Sequence, residues 1–196
     1  MDRTTSGVDL LWIPLGAGSR VPVVRWNGLA YEAISAWRQR RPRTDLFHAA
    51  LEVVAGGVRY VVEMTPAWGP GHSDVGAVTS GPVGLRVLGR SKYFRYEVHC
   101  WRDGVIPDRA YAVGGAHRVS EDERVAARIL DLAPSFPTCV WGRDEQRVGE
   151  MWNSNSLVAW LLVSSGIPVD GLRPPAGGRA PGWAAGVAVS RGRCRP

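Results

Sequence analysis

Apolar and polar residues alternate through Phe94-Arg95-Tyr96-Glu97-Val98-His99-Cys100-Trp101. Phe94, Tyr96, Val98 and Cys100 fall on one side of an extended chain, and Arg95, Glu97 and His99 on the other. A two-residue period of this kind predicts an antiparallel strand with one buried and one solvated face. Phe47–Val54 and Val58–Met64 are rich in β-branched and apolar residues, and Ala55-Gly56-Gly57 separates them. The pair predicts a hairpin. Val21–Trp26, Val83–Leu88 and Thr138–Trp141 predict shorter strands.

The helical period is plainest over Ser120–Leu132. Ser120 and Glu123 form a capping-box pattern, and Val125, Ile129 and Leu132 make an apolar stripe. Leu29–Arg40 predicts an earlier helix, with Leu29, Ala33, Ile34 and Trp37 on one face and Pro42 as its stop. A third helix runs from Ser154 or Ser156 to Val163 and ends before Gly166 and Pro168. Residues 1–20 read as an irregular lead and Pro66–Ser80 as a Gly/Pro-rich loop carrying Trp68 and His72. Residues 170–196 read as a Pro/Gly-rich flap or tail. No repeat or boundary divides the chain, so a single domain over 1–196 is expected. The order of elements predicts an α+β fold, an antiparallel sheet with helices packed at one side.

Composition narrows the picture without changing it. A chain of 196 residues, 45% of them hydrophobic, can bury a sizeable core. The net charge is +6, and Lys92 is the only lysine among 24 basic residues. Basic charge alone predicts non-specific attraction, not function. Nucleic acid is therefore not the expected partner, and an Arg-driven binder of nucleic acid or an anionic surface is the alternative. Cys100, Cys139 and Cys194 form no close pair, and His48, His72, His99 and His117 are scattered. That spacing predicts neither a metal site nor a disulfide framework. The apolar run Leu10–Leu15 is too short for a membrane span or a signal core, so a cytoplasmic location without stable membrane insertion is expected.

The chemistry concentrates at Met151-Trp152-Asn153-Ser154-Asn155-Ser156-Leu157-Val158-Ala159-Trp160. Four small polar residues run straight into an apolar helix. Asn and Ser favour the N-cap, where their oxygens accept from unpaired backbone N–H groups. The same helix end carries partial positive charge, which suits a developing oxyanion. His48 opens the first hairpin strand and Glu63 lies near the end of the second. The point midway between them falls at residues 55–56, inside the turn, so the two are expected to face each other. A carboxylate beside an imidazole fixes its tautomer, and the other ring nitrogen can serve a hydroxyl. Cys139 lies in a run that reads as a core strand.

A His on an early strand, a polar group on the next and a nucleophile at a late helix start resemble the circularly permuted papain-like fold. Bacterial NlpC-type permuted peptidases and the lecithin:retinol acyltransferase group share that fold. Their late motif is Asn-Cys, two variable residues and an apolar pair. Asn153-Ser154-Asn155-Ser156-Leu157-Val158 fits this frame with Ser154 in the cysteine position. The likeness spans roughly residues 45–165. It implies hydrolysis or transfer at an amide or ester bond of a peptide or acyl-bearing substrate, without a cofactor. Ser154 would be nucleophile, His48 base and Glu63 the orienting group, with Asn153, Asn155, Ser156, Trp152 and Trp68 around the substrate. A serine hydroxyl is far less acidic than a thiol, whose reference pKa is about 8.5, so it depends on the base in the transition state. A catalytically inactive binding protein on the same scaffold is the alternative.

Overall fold

Gly56 and Gly57 set the register of the sheet. Their φ values are 60° and 75°, which a two-residue hairpin turn requires and glycine supplies without a Cβ clash. The turn joins β2 (Phe47–Ala55) to β3 (Val58–Pro66). Their ladder runs from Ala55↔Val58 to Leu51↔Val62. The computed structural model describes residues 5–17, 32–38, 40–67 and 76–192. The other strands are β1 (Gly7–Pro14), β4 (Ala77–Pro82), β5 (Arg95–Arg102) and β6 (Ala116–Ser120). They form one antiparallel sheet in the order β4-β5-β3-β2-β1-β6. The expected α+β fold, with helices at one side of an antiparallel sheet, is what the chain adopts.

The helices that follow β6 are α1 (Glu123–Leu132), α2 (Ser154–Ser164) and α3 (Trp183–Ser190). Val8, Leu10, Leu51, Val53, Val62 and Val98 point from the sheet into a core shared with Ile129, Leu157 and Leu161. Burying each such side chain contributes about 1.5–3 kcal/mol. Every residue of α2 from Asn155 to Leu162 is buried, because the helix is covered by the sheet on one side and α3 on the other. That is why it shows no amphipathic stripe. Small residues let α3 approach closely: a Cβ on Gly186 would collide with the carbonyl of Ser156.

Several local expectations are corrected. The irregular lead contains β1, which is buried on both faces and so lacks alternation: Leu10 and Trp12 enter the helix-side core, Leu11 and Ile13 the opposite cluster. Val83–Leu88 is not a strand; β4 ends at Pro82, and Gly84 with φ 74° turns the chain into a 3-10 helix over Arg86–Arg90. Of Thr138–Trp141, only Trp141 makes bridges, to Val83 and Trp152. The N-cap of α1 is Asp122, whose carboxylate accepts from the Arg124 N–H, while Ser120 stands outside the helix. The expected flap after residue 170 contains α3, which is part of the core.

The early helix is observed over residues 32–38, but it turns another side inward. Glu32 and Ala36 are buried, four residues apart, while Ile34 and Trp37 are exposed. Glu32 is held by Arg41 and by the Thr44 backbone N–H at 2.9 Å, and that ionic anchor decides the orientation. The predicted strand Val21–Trp26 lies outside the described residues. Among the described residues, no helix is long and apolar enough to cross a membrane.

Candidate functional site at the start of the first hairpin strand

Beyond Leu51 the β2–β3 ladder stops, and β3 continues against β5 alone. The edge of β2 that β3 leaves is taken by other groups. The Phe47 N–H donates to the Arg179 carbonyl at 2.8 Å. The Ala49 N–H donates to Asn155 Oδ1 at 2.7 Å, and Asn155 Nδ2 donates to the Phe47 carbonyl at 3.1 Å. A side-chain amide thus continues the strand pairing, and it ties the first turn of α2 to the residues on either side of His48. Nδ2 also reaches the Pro181 carbonyl at 2.8 Å. Unmade hydrogen bonds are costly in a buried site, so these contacts fix Asn155 in place.

The helix start is an N-cap built twice over. Asn153 Oδ1 accepts from the Asn155 N–H at 2.9 Å, and Ser156 Oγ accepts from the Asn153 N–H at 3.1 Å. Ser156 Oγ then donates to the Gly182 carbonyl at 2.8 Å, and Asn153 Nδ2 donates to the Pro181 carbonyl at 2.8 Å. Gly182 has φ 93°, and a Cβ there would strike the Asn153 amide. Glu150 accepts from the N–H groups of Gly182 and Ala184, so the same knot also caps α3.

Asn153, Asn155 and Ser156, expected around a substrate, therefore spend their polar atoms inside the fold. Trp152 is buried as well, stacked on Phe136 with centroids 4.9 Å apart. Trp68 lies outside the described residues. Cys139 is buried, in keeping with a core position. Ser154 is the first residue of α2 and remains half-buried.

His48 does not pair with Glu63. The turn is Gly56-Gly57 alone, one position later than the expected midpoint, and the register of β3 against β5 sets Glu63 opposite His99. The carboxylate at His48 is Asp108: His48 Nε2 and Asp108 Oδ2 are 2.9 Å apart and both side chains are part-buried. Asp108 lies in the β5–β6 connection, which covers the sheet face opposite the helices. Alternation turns His48 toward that face, away from Phe47 and Ala49 in the helix-side core. Among the described residues no hydrogen bond joins His48 to Ser154.

Asp108 was not legible as a partner, because it stands 60 positions from His48 and no spacing rule links a loop carboxylate to a distant strand. The same face carries Glu52, side chain 6% exposed, which accepts from Arg109 Nε at 2.7 Å and Nη2 at 3.0 Å and from Arg59 Nη1 at 3.2 Å. Its hydrogen bonds and charge push the Arg109 guanidinium above its ordinary pKa. His99, expected on a solvated face, is fully buried, 3.4 Å from Glu97 and edge-on to Trp101.

A cleft of roughly 810 Å³ opens at the same end of the sheet, lined by Pro14, Leu15, Thr44, Leu46, Phe47 and Pro175 among others. It falls in the size range of small-molecule sites. No group of His, Cys, Asp and Glu suited to a metal occurs among the described residues. No family model matches the chain, and no curated protein or solved structure is significantly similar to it.

Proposed function

We propose that this protein is a hydrolase or acyltransferase acting on an amide or ester bond, with Ser154 as nucleophile, His48 as base and Asp108, in place of Glu63, as the orienting carboxylate. One observation carries this reading: a His–carboxylate pair sits on the strand segment to which Asn155 ties the first turn of α2. If Asp108 accepts from His48 Nε2–H, the lone pair of His48 lies on Nδ1. His48 faces away from the helix side, so the Ser154 hydroxyl proton reaches Nδ1 by way of water around the start of β2 as Oγ attacks the substrate carbonyl. The protonated ring then gives that proton to the leaving amine or alcohol, and an acyl-Ser154 ester remains. Water or an acceptor hydroxyl or amine, deprotonated by the same ring, releases the acyl group and restores Ser154. The Ser154 backbone N–H, at the positive end of α2, stabilises the oxyanion, since the next N–H groups of the turn donate to Asn153.

A fluorophosphonate probe followed by mass spectrometry tests this. An adduct on Ser154 is expected, lost in Ser154→Ala and His48→Ala, and formed on the order of 10²–10⁴-fold more slowly in Asp108→Asn. No adduct on the folded protein sinks the catalytic reading. The alternative is then a non-catalytic binding protein using the cleft beside Phe47. The structural employment of Asn153, Asn155 and Ser156 favours it.

A further inference from the structure

The connection between β4 and β5 is folded, yet from Leu85 to Phe94 it buries no side chain. Residues 86–90 and 92–94 form two consecutive 3-10 turns, and neither contains a buried residue. Leu85, Val87, Leu88, Tyr93 and Phe94 are between 36% and 68% exposed. The base of this tip is pinned: the Val83 N–H donates to the Phe94 carbonyl at 2.8 Å, and the Gly84 N–H to the Trp141 carbonyl at 3.0 Å. Arg143 Nε donates to the Gly84 carbonyl at 2.7 Å. The exposure of five large apolar side chains within ten residues is thus built into an ordered segment.

Cations are interleaved with those side chains. Arg86 is paired with Glu145 through two hydrogen bonds of 3.1 Å. Arg90 and Lys92 are exposed and have no ion pair among the described residues. Lys92 Nζ lies 5.5 Å from the centre of the Tyr93 ring.

We propose that this tip docks the protein on the surface of an anionic lipid bilayer. Apolar side chains on an exposed turn enter the headgroup–acyl boundary, while neighbouring Arg and Lys reach lipid phosphates. Each cation near an anionic leaflet raises partitioning about fivefold. Nucleic acid matches the tip less well, since base stacking would use Tyr93 and Phe94 but leave Leu85, Val87 and Leu88 without a role. The docking is peripheral and independent of the proposed catalytic site.

Sedimentation of the full chain with vesicles tests it. Vesicles of phosphatidylcholine with about 30 mol% phosphatidylserine should carry the protein down, and vesicles of phosphatidylcholine alone should carry much less. Val87→Ser with Phe94→Ser, both at exposed positions, should weaken partitioning at least about tenfold. Arg90→Glu with Lys92→Glu should abolish the preference for anionic vesicles. The same binding to both vesicles, or full binding by the serine variant with native circular dichroism, overturns the proposal. So does binding to an oligouridylate with none to vesicles.

Discussion

The two faces of the sheet are built from different materials. The helix side is a continuous apolar core from Val8 to Val189 in which α2 is buried along eight successive residues. The outer side has a small apolar cluster of Leu11, Ile13, Ala50, Val61 and Ile106, surrounded by pairs of charged and titratable groups. Glu52 with Arg59 and Arg109, His48 with Asp108, and Glu97 with His99 all lie there. Apolar packing carries most of the folding free energy and tolerates little loss of volume. Ionic groups contribute less net stability, yet they are what can hold or move a proton. The contrast assigns stability chiefly to one face and titratable chemistry to the other.

Truncation should separate the faces most sharply. Leu161 is fully buried between sheet and helices, so Leu161→Ala should cost about 3–4 kcal/mol. Ile106 is 2% exposed but sits in a connection that can close on a small void, so Ile106→Ala should cost about 2 kcal/mol. Urea midpoints with an unchanged slope would measure both. A larger loss at Ile106 than at Leu161 would break the division.

Acid should next distinguish an anchor that belongs to neither face. The Arg41 guanidinium holds the Glu32 carboxyl down at about 2, from an ordinary 4.5, against the opposing effect of burial. A carboxyl depressed in the folded state contributes stability above its unfolded pKa and loses it as pH falls through the folded one. Glu32 should thus contribute on the order of 3 kcal/mol at neutral pH. That contribution should fade between pH 4.5 and about 2. The stability difference between wild type and Glu32→Gln, followed by urea titration across this window, should shrink toward zero. A constant difference would mean that Glu32 acts through shape and not charge.

The helix side was the more legible of the two. Alternation in β5 and the apolar run after Ser156 are local patterns, and both became elements close to their expected bounds. The outer side depends on pairings remote in sequence. His48 meets Asp108, and Glu52 meets Arg109, across separations of 60 and 57 residues. Even the local expectation for Glu63 failed by a small register difference, because the turn uses two glycines and not three residues. Ile34 and Trp37 misled in the opposite sense: their helical spacing was sound, but the buried Glu32–Arg41 pair turned the other side inward. Alternation also cannot reveal a strand apolar on both faces, which is how β1 was hidden.

The smallest expected effect bears most closely on the outer face. Glu52 faces two guanidinium groups, one of them bidentate through Arg109 Nε and Nη2. Glu52→Gln keeps the shape and one acceptor while removing the charge. Breaking a fully buried pair from one side costs about 3–5 kcal/mol. Arg109 is 53% exposed at its side chain, so water rehydrates it and the loss should fall to about 1–2 kcal/mol. Salt near 1 M should reduce that loss, since the Debye length drops to about 3 Å. Combined with Arg109→Ala, the double variant should be less destabilised than the sum of the two single ones, by about 0.5–1.5 kcal/mol. Strict additivity, or a loss indifferent to salt, would show that Glu52 packs without pairing. The outer face would then be held by its apolar cluster alone, and its ion pairs would be free to serve chemistry without serving the fold.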